Sequence, residues 1–282
     1  MEKEFAGQDQ SPEILGQFTW TGFDYLGEPT PFRNQWPAHV SYFGIFDLAG
    51  IPKDRYYIYK ARWSEEPVVH LLPHWNWEGY TKIEVHCHSN ADSVELFVNG
   101  KSQGVAKRDF NRILTIDSEK CHEIPRYRFI WKEVPYESGE ILAVGFDEKG
   151  DILGKHLVKT AGDPFKIVLI PEKTSIFSDE LAFVRVQIVD KEGNLCPNAS
   201  HKIIFSVTGA GEYVVADNGS QTSIRPFYSD TCPAFYGQCV AVARGKETGL
   251  LEIKASGLGL EHATTGVFVN TPILSHCNKC LL

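Results

Sequence analysis

Trp20, Asp24, Tyr25 and Glu28 lie close together in the stretch Gly16–Phe32, GQFTWTGFDYLGEPTPF. An indole flanked by carboxylates has the composition of a sugar-binding surface. The ring stacks on the apolar face of a pyranose, and a carboxylate such as Asp24 accepts its hydroxyls. The same residues also suit a strand end whose aromatics fill a core. A second aromatic cluster, His74-Trp75-Asn76-Trp77, follows Leu71-Leu72-Pro73. It reads either as a ligand surface or as a strand using its tryptophans as packing anchors.

Other candidates for chemistry carry less. His86-Cys87-His88 sits in an alternating strand pattern, which sends the histidines to one face and the cysteine to the other. Two histidines are too few for a zinc site, so they are expected to line a polar outer face. His276-Cys277-Asn278-Lys279-Cys280 contains a C-x-x-C, but no second ligand pair has clear spacing and the motif lies two residues from the end. It reads as a frayed tail. Cys232 and Cys239 could bridge around Pro233–Gln238. No Ser-His-Asp constellation, P-loop or G-x-G-x-x-G occurs, and neither a metal nor a cofactor is expected.

These residues must be positioned by a largely β chain. From Lys82 onward the apolar residues alternate: Ile83, Val85 and Cys87, then Val94, Leu96 and Val98. Asn99-Gly100 follows, the pair favoured by a type I′ hairpin turn because both central residues need positive φ. Ile141–Phe146 and Ile152–Val158 flank the turn Glu148–Asp151. After a break at Ala161-Gly162-Asp163-Pro164 the pattern restarts and runs to Val269. Each block has the length and rhythm of an immunoglobulin-like sandwich. Before Lys82, Phe18–Tyr25 reads as a strand. Ile51-Pro52-Lys53-Asp54-Arg55 reads as a helix start that places Tyr56, Tyr59 and Trp63 on one face.

The 282 residues are 43% hydrophobic and 23% charged, enough apolar material for more than one core. A formal net charge of −8 argues against nucleic acid or an anionic membrane as partner. No apolar run approaches the roughly 20 residues that span a bilayer. Met1-Glu2-Lys3-Glu4 leads into polar sequence rather than the apolar core of a signal peptide. Seven cysteines form no framework spacing and do not establish an oxidising compartment.

The opening stretch resembles glycoside hydrolase family 2, in the branch of bacterial β-galactosidases and related exo-β-glycosidases. The likeness continues through Ser41–Ile45, Asp47–Gly50, Pro52–Tyr57, Leu71–Trp77 and Asp92–Ser102. It reappears at Ala216-Asp217-Asn218-Gly219 and Ala234-Phe235-Tyr236-Gly237, spanning roughly residues 13 to 270. The resemblance implies a mainly β fold. Residues 1–64 would be a strand–helix remnant of a (β/α)8 barrel, 65–161 and 162–275 two immunoglobulin-like β-sandwich domains, and 276–282 a tail. The opening stretch would be the eighth barrel strand and its loop, at the end of the barrel that carries active sites.

By the same resemblance, Trp20 lines the subsite of the non-reducing sugar, with Asp24 and Glu28 at its rim. The family retains anomeric configuration using an acid and a nucleophile, two carboxyls about 5–5.5 Å apart. Both belong to earlier barrel strands, the acid preceded by an asparagine. No such Asn-Glu stands upstream of Trp20, and Glu2, Glu4 and Glu13 are too close to the eighth strand. The expectation is therefore the C-terminal part of a glycosidase of terminal β-linked sugars, inactive by itself. Alternatively the chain is a carbohydrate-binding or spacer module, with Trp75, Trp77 or Trp131 as platforms. Phe18, Trp20, Tyr56, Tyr59 and Trp63, lacking barrel partners, would expose an apolar patch prone to self-association. A periplasmic or extracellular location follows from relatives only.

Overall fold

The computed structural model describes residues 2–109 and 127–271. The chain divides into two units, Met1–Pro31 with Val40–Thr160, and Phe32–His39 with Ala161–Leu282. The boundary falls just before the break at Ala161. Residues 1–64 do not stand apart, however. Most of them cluster with the sheets that follow, and Phe32–His39 cluster with the second unit.

In the first unit, among the described residues, α1 (Glu2–Gln10) and α2 (Asp54–Trp63) precede seven strands. These are β1 (Val69–Leu72), β2 (Lys82–Ser89), β3 (Ser93–Val98), β4 (Lys101–Lys107), β5 (Arg128–Pro135), β6 (Glu140–Phe146) and β7 (Ile152–Lys159). They form a three-stranded sheet, β1-β2-β5, and a four-stranded sheet, β4-β3-β6-β7, with every ladder antiparallel. Alternation supplies each sheet with one apolar face. Leu71, Val85, Cys87 and Phe129 from the first sheet share a core with Val94, Leu96, Ile141 and Ala143 from the second. The β3–β4 hairpin turns at Asn99 (φ 48°) and Gly100 (φ 77°), the positive φ pair that its sequence demands.

Trp75 is 0% exposed in this core. Its Nε1–H donates to Glu137 O at 3.0 Å, and Tyr136 meets its ring edge-on at 5.1 Å. Of the two readings of the His74–Trp77 cluster, Trp75 takes the packing one and cannot be a ligand platform. Trp77 is turned inward on its own loop, donating to His74 O at 2.6 Å with its ring stacked on His74 at 4.8 Å.

The helix expected from Pro52 onward forms, but with a different buried face. Ile58, Tyr59 and Ala61 are buried, whereas Trp63 is exposed. The cover comes from α1, which no apolar periodicity announces. Its Phe5 packs edge-on against Tyr59 at 5.4 Å and Tyr127 at 6.2 Å. Arg62 pairs with Asp9 at 2.5 Å across the two helices.

Helix α2 also corrects the reading of His86 and His88 as a solvent-facing pair. Its N-terminus covers the far end of β2, leaving His88 only 5% exposed. His88 Nδ1–H donates to Asp54 O at 2.9 Å, and His70 Nε2 meets the Asp54 carboxylate at 2.8 Å. The His70 ring stacks on Tyr57 at 3.6 Å and on His156 at 5.3 Å. The Leu71 N–H donates to His156 Nδ1 at 2.8 Å. Burial pushes His88 down to about 3 and His156 down to about 4, so both rings are neutral.

The second unit carries β8 (Lys166–Pro171), β9 (Ser175–Phe177), β10 (Leu181–Val189), β11 (Lys202–Gly209) and β12 (Gly211–Asp217). Strands β13 (Thr231–Pro233), β14 (Gln238–Gly245), β15 (Gly249–Gly257) and β16 (Leu260–Asn270) complete it. The ladder runs β12-β14-β10-β8-β16-β15-β11-β13, with β9 added on β16. One residue pair, Glu261 with Lys166, joins its two halves in parallel. Ile167, Val186 and Ile188 from one half share a core with Ile203, Phe205 and Ala255 from the other. The tail with Cys277 and Cys280 lies outside the described residues.

Candidate functional site

Phe18–Tyr25 is not a regular strand. It makes one parallel bridge, Phe23 with Phe46, and Leu26 bridges Val40. A strand needs a continuous ladder, and the backbone bonds here are few: Ile45 N–H to Thr21 O at 3.1 Å, Phe46 N–H to Gly22 O at 2.9 Å, Asp24 N–H to Phe46 O at 3.0 Å. They suffice to hold residues 21–25 extended beside residues 43–46. The contact is tight at Gly44, where a Cβ would lie 2.2 Å from both Asp24 N and Phe46 O. The Trp20–Thr21 peptide is cis.

Trp20 projects from this segment and is 72% exposed. Its Nε1–H donates to Tyr25 Oη at 3.2 Å, and the two rings meet edge-on at 6.1 Å. The Tyr25 hydroxyl in turn donates to Glu28 Oε2, and Thr30 Oγ1 reaches Glu28 Oε1 at 3.5 Å. The carboxylate that holds its proton pushes the Tyr25 phenol above its usual range. Gly27, at φ 98°, makes the turn that brings Glu28 back against Tyr25. An exposed indole thus ends a hydrogen-bonded chain that fixes its edge and leaves an aromatic surface beside a carboxylate.

Asp24 does not join that surface. Its side chain is 0% exposed, paired with Lys53 Nζ at 2.5 Å and accepting the Gly44 N–H at 2.8 Å. Strict alternation would put Trp20 and Asp24, four residues apart, on one face; this segment is not a regular strand, and the exposed indole and the buried carboxylate do not share one. Asp24 is a brace instead of a ligand. Sequence reasoning grouped Tyr25 with the others but gave it no role, although its spacing to Glu28 was a usable signal. It passed over Lys53, and also Arg55, which donates to Phe43 O at 2.8 Å. Nothing local marks either as a partner of residues so far back in the chain. Among the described residues no group of His, Cys, Asp or Glu could hold a metal ion.

Residues 167–266 match the family model "Glycoside hydrolase family 2 C-terminal domain 5", and residues 80–154 match a domain of unknown function, DUF4982. The chain is 41% identical over 254 residues to β-galactosidase BoGH2A of Bacteroides ovatus, an alignment covering 89% of this chain. A crystal structure of a β-glycosidase from Bacteroides vulgatus superposes with a TM-score of 0.83 and 33% identity over 95% of this chain. The chain belongs to glycoside hydrolase family 2. A putative β-glucuronidase of Formosa agariphila is also similar, 34% identical over 216 residues and 74% of this chain. These relatives are much longer. The chain spans 28% of the Bacteroides ovatus protein, 32% of the Bacteroides vulgatus structure and 19% of the Formosa protein.

Proposed function

We propose that this chain furnishes one wall of a family 2 glycosidase site for terminal β-linked sugars, most suitably β-galactosides. The observation that carries the reading is the Trp20–Tyr25–Glu28 chain, which presents an exposed, hydrogen-bonded indole as a platform for a sugar ring. Trp20 stacks on the sugar, Glu28 accepts a hydroxyl at the rim, and Asp24 positions the segment through Lys53 and Gly44. Similarity to β-galactosidase BoGH2A favours galactose, and the glucuronidase relatives make a uronic acid the competing ligand.

The parallel Phe23–Phe46 bridge and the α2 helix after it support reading residues 1–64 as the end of a (β/α)8 barrel. The paired sheets with shared cores support reading the remainder as immunoglobulin-like sandwiches that brace it. Neither carboxylate near Trp20 is placed as acid or nucleophile: Asp24 is buried in an ion pair, and Glu28 is engaged by the Tyr25 hydroxyl, which donates to it. The chain by itself therefore binds sugar without hydrolysing it. Exposed Phe18, Trp20, Phe23 and Leu26 form an apolar surface through which copies self-associate.

The test is a titration of galactose, β-galactosides and glucuronic acid monitored by tryptophan fluorescence, with nitrophenyl glycoside turnover measured beside it. Binding lost in Trp20→Ala, without turnover, is expected. Binding unchanged in Trp20→Ala refutes the platform, and turnover abolished by that substitution refutes the lack of activity.

A further inference from the structure

Cys232 stands on β13 opposite Ile203 of β11, and Cys239 stands on β14 opposite Val186 of β10. They belong to different halves of the ladder, yet both side chains enter one buried core, where each acts on the other's proton. Both are buried, 1% and 0% exposed, and both are free thiols. The intervening chain closes tightly, with Phe235 bridging Gln238.

The pair is also chemically unequal. Its interaction with Cys232, together with burial, pushes the Cys239 thiol well up. Cys232 is drawn down, chiefly by its interaction with Cys239 and secondarily by the Arg225 guanidinium. Two Arg225 nitrogens are spent on the carbonyls of Ala216, Pro226 and Ser229, while its buried Nε has no hydrogen-bond partner. The other buried thiols contrast with this. Burial raises Cys87 to about 12 and Cys196 to about 11, which makes them inert.

We propose that Cys232 and Cys239 form an intrachain disulfide that staples the β11–β13 ladder to the β10–β14 ladder across the core. Two thiols that enter one core from different ladders, with only a tight turn between them, are placed to be bridged. The oxidant is a small or protein disulfide, RSSR, meeting the pair as the domain folds. The Cys232 thiolate attacks one sulfur of RSSR and expels RS⁻. The Cys239 thiolate then attacks the Cys232 sulfur of the mixed disulfide and expels the second RS⁻. The two thiol protons pass to these leaving groups. Two electrons leave the cysteines and RSSR becomes two RSH.

The chain offers a clean test, because one tryptic peptide, Ile203 to Arg244, carries both cysteines and no other. The full chain is refolded in a mixture of oxidised and reduced glutathione, alkylated in denaturant and mapped without reduction. The expected result is that peptide, unalkylated at both positions and two hydrogens lighter. The oxidised chain should also melt higher than the reduced one by about 10 °C, a shift absent from the Cys232→Ser/Cys239→Ser double variant. The proposal is overturned if both thiols alkylate after oxidative refolding, if either is joined to another cysteine, or if the double variant keeps the redox-dependent shift. Should the double variant not fold, the peptide map of the unaltered chain still decides.

Discussion

Lowering the pH from 7 to 5 should weaken the first unit far more than its carboxylates account for, through His88 and His156. Burial holds His88 near 3 and His156 near 4, against about 6.5 in the unfolded chain. Both rings are neutral when folded, and their bonds depend on it. The His156 Nδ1 accepts the Leu71 N–H, so a proton there removes an acceptor. The groups facing the rings are Asp54, His70, Tyr57 and Arg128, and of these Arg128 and His70 add repulsion at His88.

The sign follows from linkage. Below pH 6.5 the unfolded chain binds protons that the folded chain refuses, so stability falls until the folded values are reached. Over the roughly 1.5 pH between 6.5 and 5, each histidine forfeits ~2 kcal/mol, together ~4 kcal/mol. Glu66 and Glu133, drawn down by Lys60 and Lys82, titrate below this window. Trp36 alone among the six tryptophans belongs to the second unit, so fluorescence during urea unfolding reports mainly the first. With a slope of about 2 kcal/mol per molar, the midpoint should drop by about 2 M. His88→Asn keeps a donor near Asp54 O and His156→Asn keeps an acceptor for Leu71. The double variant should lose stability at pH 7 yet show a nearly flat response from pH 7 to 5. A wild-type midpoint that does not move, or a double variant that moves as far as wild type, refutes the reasoning.

Three further outcomes are expected. Trp75→Ala should cost about 3–5 kcal/mol in denaturant unfolding and leave galactoside titrations unchanged, whereas Trp20→Ala should abolish binding within ~0.5 kcal/mol of wild-type stability. Lys53→Met removes the ammonium ion paired with the buried Asp24 carboxylate and should cost about 3 kcal/mol; Asp24→Asn, which keeps an acceptor for Gly44 and leaves Lys53 near solvent, should cost less by the same assay. Gly44→Ala drives a methyl into backbone on both sides, so proteolysis should cut residues 18–50 in that variant while Gly16→Ala, with open space around it, stays resistant.

Much of the β architecture was legible because alternation is a local signal. Ile83, Val85 and Cys87 face a core in whichever sheet they join, and Asn99-Gly100 dictates its own turn. The helix start at Pro52 was equally local. The likeness of the Gly16–Phe32 stretch to glycoside hydrolase family 2 was also readable, since it rests on residue order alone. The helix α1 was not readable, because a short helix anchored by Phe5 shows no periodicity.

What tertiary structure decided was which polar groups meet. Asp24, close to Trp20 in sequence, was turned inward by a distant lysine, and Tyr25 became the hub between Trp20 and Glu28. His88, polar and outward by alternation, was buried because α2 returned across its strand, where Asp54 meets both His88 and His70. Cys232 and Cys239 sit near each other in sequence, but they share one core because two separate ladders converge on it. Alternation records the face a side chain takes within its own strand. The partner on that face comes from elements far away in the chain, and only packing brings them together.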